Sequence, residues 1–529
     1  MSTFYGDMYG ERRKRFGLKL GGFLGVAAVI AGGCAAAYAF SDTVKNQVKL
    51  AFSSPQDYFT WVCEKNVNDF SESFAGSYQE MLDLRSSGMT SHAEAQITLT
   101  EDGKNALQSQ KLPETGSLYG QVFAQQAANV LSNMDSIGFT ADISEKGSGA
   151  AQNIGLTMNG KSIVSVQTAS DIKDKLFYVR VPELKEQWLG IELDSFWEKT
   201  FSKAMPDIGN AEPPTAQEMQ QMLREYSLLP TENITDITVT RSVPVTIAGT
   251  EVNYTEIAFP MTADQLADSV QKIIDKAAQD ERLKKICPAE GVYDKIIEEA
   301  KKAVSEMQTD AGQPVQVRLY VHEIGKICGI SVSGENGTSV FAAAYRKGDQ
   351  FAAEARTAYD EGNEPAVLTI SGTRSGDAFN GTAVMKAGSE ATVTAAFTDL
   401  KIVDPKKGYV SGTVALSSDQ TDGEITVKLD CSNGQTAEFP IRVSGTDYGA
   451  VRLTYSVNEG AEYTVPDRSG AYFIDPTDRD FYKGYLDAAS VQKFITDTAG
   501  KLGMNTGNAD RAGKAAGFAA AISRFDSML

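Results

Sequence analysis

Two histidines, five cysteines and two short acid-rich runs are the residues whose types and spacing could do chemistry in this 529-residue chain. His92 follows a Ser/Thr-rich stretch, whereas His322 closes an alternating run that also holds Gln316, Arg318 and Tyr320. A Ser-His-Asp site needs its members close in space and not in sequence, which leaves His322 open to such a role. A lone histidine on the polar side of a strand is ordinarily only solvated. The chain has no GxSxG elbow, Walker loop, GxGxxG fingerprint, HExxH pair or SxxK with its companion motifs. Calcium needs several oxygens converging from a tight loop, and two stretches offer three carboxylates each. Asp475, Asp478 and Asp480 lie in IDPTDRD; Asp419, Asp422 and Glu424 lie in SDQTDGE. Neither has EF-hand spacing, and the second falls where a hairpin turn is expected, so the first is the candidate metal site. A carboxylate pair for glycoside hydrolysis is set by a distance in space that the sequence does not carry. Cys34, Cys63, Cys287, Cys328 and Cys431 form no CxxC pair and fit no zinc spacing, which points to reduced, buried thiols. The chain therefore reads as non-enzymatic and without a cofactor.

Charge narrows the partners. Arg12, Arg13, Lys14, Arg15 and Lys19 crowd the first 19 residues beside only Asp7 and Glu11. Of 50 basic and 69 acidic residues, 45 and 67 remain beyond Lys19, a net charge of -22. Such a body repels phosphate backbones, and no Lys/Arg stripe interleaves with aromatics, so nucleic acid is not an expected partner.

The basic cluster opens onto Leu20–Phe40, 21 residues without a charge. That is about the length of a helix crossing a bilayer core of ~30 Å, and longer than the usual core of a signal peptide. Three fates compete for residues 16–40: an uncleaved anchor, cleavage after Ala37-Tyr38-Ala39, and acylation of Cys34 in the lipobox-like Ala31-Gly32-Gly33-Cys34. Span length favours the anchor. Ala31 stands where a lipobox usually has Leu, and Ala35–Phe40 stays apolar where a polar tether is normal. Basic residues before the span and few after it predict a cytoplasmic N-terminus, residues 1–15, and an extracellular body on the cell membrane. Gly17, Gly21 and Gly25 repeat at GxxxG spacing and give the span a candidate dimerisation face.

The elements that must position these groups follow from hydrophobic period. Residues 41–90 read as a helical stalk, with Val44, Val48 and Phe52 at i+4 and a restart at Ser53-Ser54-Pro55. Residues 91–261 read as a first α+β module of short alternating runs, a helix over Leu118–Met134 and an Asn159-Gly160 hairpin. Residues 262–314 form amphipathic helices with stripes at Leu266, Val270, Ile273, Ile274 and Ala277, then Tyr293, Ile296, Ile297, Ala300 and Val304. Residues 315–457 alternate with turns about every 8–12 residues, an antiparallel meander with one dry and one wet face. Residues 458–529 are a linker and C-terminal helices; Phe518, Ile522 and Phe525 mark the last apolar stripe. Four N-x-T sequons, at Asn233, Asn253, Asn336 and Asn380, read as hairpin and strand residues. The fold class is thus α+β: one N-terminal transmembrane helix, then an ectodomain built on a long antiparallel meander, a curved sheet or half-barrel, covered by amphipathic helices.

SSPQDYFTWVCEKN, YVRVPELKEQWLGIELD, LADSVQKIIDKAAQD and VQVRLYVHEIGKICGISVSG carry a resemblance that spans most of the chain. With the basic tail and single span, the chain resembles uncharacterised, membrane-anchored extracytoplasmic proteins of Gram-positive Clostridia, and this resemblance implies no activity. In architecture alone it is similar to half-barrel envelope lipoproteins of the LolA/LppX type, which implies a space for an acyl chain between sheet and helices. The expected function is a membrane-tethered protein binding a lipid or other hydrophobic envelope molecule, with Val317, Leu319, Val321, Ile273 and Ile297 facing the ligand. The alternatives are a surface protein that docks another envelope protein, and a carboxylate-based cell-wall hydrolase. A filled core would make the same apolar residues purely structural.

Overall fold

The computed structural model describes residues 40–503 except 110–129, 131–132, 196–197, 199–212, 287–290, 309–312, 335–337, 359–364, 388–390, 406, 444, 461–465 and 476–484. All but Phe40 of the anchor segment 16–40, nearly all of the expected Leu118–Met134 helix and the whole Ala509–Leu529 helix lie outside the described residues. Among the described residues no helix is long and apolar enough to cross a membrane.

The fold is α+β, a large and mostly antiparallel sheet with several helices. In chain order, α1 (Phe40–Phe52) and α2 (Pro55–Ser87) precede β1 (Met89–Leu99) and α3 (Glu101–Ser109). Next come β2 (Ser136–Lys146), β3 (Gly149–Met158), β4 (Lys161–Asp171), β5 (Leu176–Arg180), β6 (Leu189–Glu192), α4 (Ala216–Leu228), β7 (Thr238–Ile247) and β8 (Thr250–Met261). Helices α5 (Ala263–Gln279), α6 (Glu281–Ile286) and α7 (Val292–Gln308) lead into β9 (Val315–Val321), β10 (Ile327–Ser333), β11 (Ser339–Lys347), β12 (Gln350–Ala358), β13 (Ala366–Ser375) and β14 (Ala378–Ala387). The chain continues through β15 (Ala391–Asp404), β16 (Tyr409–Ser418), β17 (Thr421–Asp430), β18 (Gln435–Val443), β19 (Thr446–Glu459), β20 (Tyr472–Phe473) and α8 (Ala488–Lys501). It divides into two compact units: Met1–Met81 with Ala211–Leu400 and Ala415–Glu424, and Leu82–Asn210 with Lys401–Val414 and Ile425–Leu529.

In the first unit, β7 to β14 pair antiparallel in sequence order. Ala248-Gly249, at φ 46° and 79°, makes the tight β7–β8 turn that a right-twisted hairpin favours. One sheet face carries Ile257, Phe259, Val317, Leu319 and Val321, packed against Tyr58, Phe59, Val62 and Cys63 of α2. Helix α2 starts where Ser54 and Pro55 stop α1: the Ser54 hydroxyl accepts the Asp57 N–H at 3.1 Å, and Pro55 suits the first helical position. Burial, with the neighbouring Glu64 carboxylate adding to it, pushes the Cys63 thiol up to about 12, which marks it as a core residue and not a reagent.

The opposite face departs from the expected wet surface. Tyr320 is buried among Ile247, Tyr254, Phe341 and Ala352. Strand β7 lies against β11 and β12, well beyond its paired neighbour β8, so this part of the sheet rolls over its own aromatic core. The Tyr254 hydroxyl donates to the Ala344 carbonyl at 3.0 Å, and the Ala248 N–H donates to Glu354 at 2.7 Å across the roll. Strict alternation specifies two faces but not the rolling that dries the second.

Helix α5 begins at a capping box, with Thr262 and Gln265 satisfying each other's backbone donors. Its stripe meets that of α7 around Ala267, Ile274 and Val304, so these two helices bury their apolar faces mainly against each other. A charged clasp holds α4 to the end of α5. Arg282 donates to Asp280 at 2.6 and 2.8 Å and to Glu225 at 2.8 Å, and Tyr226 donates to Asp280 at 3.0 Å.

In the second unit, the order of antiparallel strands is β18–β19–β1–β2–β3–β4–β5–β6, with β20 parallel to β6. Asn159-Gly160, both at positive φ, turns β3 into β4. Gly103 lets α3 pack on the Tyr448 backbone, where an added Cβ would stand 2.0 Å from the carbonyl oxygen. Met134, Met158 and Ile163 form a small core with Leu107 of α3 and Leu502 beyond α8.

Candidate functional site

Among the described residues, the second unit's sheet leaves much of its apolar side bare. Cross-strand register places Leu453, Ala95, Phe139, Leu156 and Val164 in one row over β19, β1, β2, β3 and β4. The next row is Tyr455, Ala93, Ala141, Ile154 and Val166. Phe139 is 60% exposed and Ile154 50%, and Leu453, Tyr455, Ile97 and Val166 are each at least 40% exposed. Scattered exposed apolar residues are ordinary; rows of them on one face, on adjacent strands, are not. At one end this face is already closed, because Met158, Ile137 and Leu156 join the small core with Leu502.

The other side of the same strands is polar and more enclosed. On β1, Glu94 and Gln96 are half-buried while Ala93, Ala95 and Ile97 are exposed, the reverse of the usual arrangement. A polar row runs Ser456, His92, Asp142, Asn153, Gln167 and Arg180 from β19 to β5. His92 Nδ1 lies 2.6 Å from Asp142, Asn153 donates to Asp142 at 3.3 Å, and Arg180 donates to Gln167 at 2.9 Å. The Arg180 guanidinium sits 4.4 Å from the Trp188 ring centroid, a cation–π contact that ends the row.

The residues expected to face a ligand occupy different places. Val317, Leu319 and Val321 point into the core under α2, each at most 2% exposed. Ile297 packs into the α5–α7 cluster and Ile273 is half-buried on α5, so these two do not join the Val317 set in one core cluster. Asp475 is exposed, while Asp478 and Asp480 lie outside the described residues. No group of three or more metal-ligating side chains occurs among the described residues. Asp419 accepts the Thr392 N–H at 2.8 Å, and that backbone bond holds its carboxyl below the usual range. His322 sits in the β9–β10 turn, where burial lowers its basicity.

Phe139, Ile154, Leu453 and Tyr455 were readable as apolar alternation but not as a site. The same pattern describes a covered face and a bare one. No family model, curated protein or solved structure matches this chain.

Proposed function

We propose that the chain is a membrane-tethered, extracytoplasmic, non-enzymatic protein that binds a lipid or other hydrophobic envelope molecule on the bare face of the second unit's sheet. The observation that carries this reading is the exposed double row around Phe139, Ile154, Leu453 and Tyr455. Its rows are Ala, Ile, Leu, Val and Phe with one Tyr, and Arg and Trp, which anchor most protein partners, are absent from them. An acyl chain asks only for such apolar area, at about 0.8 kcal/mol per buried methylene. The tether is residues 16–40, whose length and flanking charge support an anchor with the body outside.

The test uses the full chain in bacterial membranes fed a photoactivatable fatty acid. After irradiation, label on peptides of β1 to β4 and β19, lost in Phe139→Asp/Ile154→Asp, is the expected result. Label confined to residues 16–40, or unchanged in that variant, would overturn the reading.

A further inference from the structure

Helix α1 turns three apolar side chains away from the body that holds it. Val44 and Val48 are 53% and 52% exposed, and Phe52 is 87% exposed. Their i, i+4, i+8 spacing sets them along one side of the helix. We propose that this side of α1 lies in the interface of the lipid bilayer, as a second membrane contact beside the tether. The inference rests on reading residues 16–40 as that tether and does not depend on the bare sheet face.

Three observations carry it. The first is that α1 is held against rolling its stripe inward. Asn46 donates to the Glu323 carbonyl at 3.0 Å and accepts the Tyr58 hydroxyl at 2.9 Å, and Leu50 packs on the core under α2. Arg241 of β7 donates to the Leu50 carbonyl at 2.9 Å. At about 100° per residue, Asn46 and Leu50 fall opposite Val44 and Val48. The second is position. The uncharged run Leu20–Phe40 ends at the first residue of α1, so the stripe begins only four residues beyond it, at Val44. The third is charge. Lys45 and Lys49 each follow a stripe valine by one position, which sets a basic edge beside the apolar side. Asp42 is the only acidic residue of α1, in a chain whose net charge is -19. Exposed Arg241 adds a cation near Leu50. An apolar stripe flanked by lysines, whose stems reach outward to headgroups, is what an anionic lipid surface takes up.

The test places an environment-sensitive fluorescent amino acid at position 52 of the full chain, reconstituted in phosphatidylglycerol vesicles. The expected result is a blue-shifted emission, quenched at least about twofold by lipids brominated near the headgroup. Val44→Asp/Val48→Asp should remove most of that quenching while the far-UV spectrum stays as in the parent. Were α1 to stand upright on the tether, position 52 would lie about 18 Å beyond Phe40, and unquenched emission would overturn the contact. A blue shift without quenching would also overturn it, because a second copy or another protein would then cover the stripe. An alkaline carbonate wash separates this contact from the tether. A chain that resists the wash but is unquenched at position 52 keeps the tether and loses the contact. A chain quenched before the wash and released by it keeps the contact and loses the tether.

Discussion

Asn66 of α2 donates to the Gly325 carbonyl at 3.0 Å and accepts the Ile327 N–H at 3.0 Å, so one buried amide holds both sides of the β9–β10 turn. Asn46 adds a bond to the Glu323 carbonyl at 3.0 Å and accepts the Tyr58 hydroxyl at 2.9 Å. The same turn brings Gly325, at φ 78°, under the Trp61 ring, where a Cβ would lie 2.7 Å from the indole. The helices therefore do more than cover the sheet: they satisfy the backbone of a turn that would otherwise be buried unpaired.

Replacing Asn66 by Ala strands a buried donor and a buried acceptor, each worth about 1–3 kcal/mol. Asn66→Ala should destabilise the first unit by about 2–6 kcal/mol on that basis. Trp61 beside the turn makes tryptophan emission in a urea series the direct reporter. A midpoint unchanged from the parent would show that water replaces the amide without cost.

Glu225 and Asp280 are both held down to about 2, chiefly by hydrogen bonds from Arg282. Their folded values lie below the ordinary 4.5 and 3.8, so the stabilisation is complete above that range and is lost as pH falls towards 2. Arg282→Ala leaves nearly buried Asp280 without its guanidinium, at a cost of about 2–4 kcal/mol near neutrality. Amide exchange in α4 and α5 should rise in the variant at neutral pH. The gap between variant and parent should close as pH falls through the window from 4.5 to about 2.

Tyr254 and Tyr320 report on the roll of the first unit's sheet. Tyr254→Phe removes one hydrogen bond to Ala344 and should cost about 1 kcal/mol. Tyr320→Ala empties an aromatic site among Ile247, Tyr254 and Phe341 and should cost about 3–5 kcal/mol. Were the second face wet, Tyr320→Ala would stay within about 0.5 kcal/mol of the parent, and urea midpoints distinguish the two.

Much of this fold was legible in the sequence. The 3.6-residue stripe at Tyr58, Phe59 and Val62, the Ser54-Pro55 restart and the Asn159-Gly160 turn are local signals, and each has a local physical cause. What alternation leaves open is which neighbour covers a face. Val317, Leu319 and Val321 have the same period as Ala93, Ala95 and Ile97, yet the first set is sealed by α2 and the second is open. Tyr320 was misplaced for the same reason, since the approach of β7 to β11 and β12 is a long-range event with no imprint on residues 315–321. The polar row through His92 and Asp142 was equally hidden, because register over six strands joins residues from 92 to 456.

The bare face itself gives the sharpest mutational contrast. Substituting a sealed apolar residue and an open one should move stability and binding in opposite proportions. Leu319→Asp places an unpaired carboxylate in a dry core, and several kcal/mol are lost, enough to unfold the first unit. Phe139→Asp or Leu453→Asp sits where the parent side chain is 60% or 43% exposed. The cost there should stay within about 1 kcal/mol, since a surface change away from special features is small. The same open-face substitutions should lower the uptake of an environment-sensitive apolar dye and raise the concentration at which the protein begins to associate. Dye uptake unchanged in Phe139→Asp/Leu453→Asp, with stability intact, would show that the face binds nothing apolar and that the proposed site lies elsewhere.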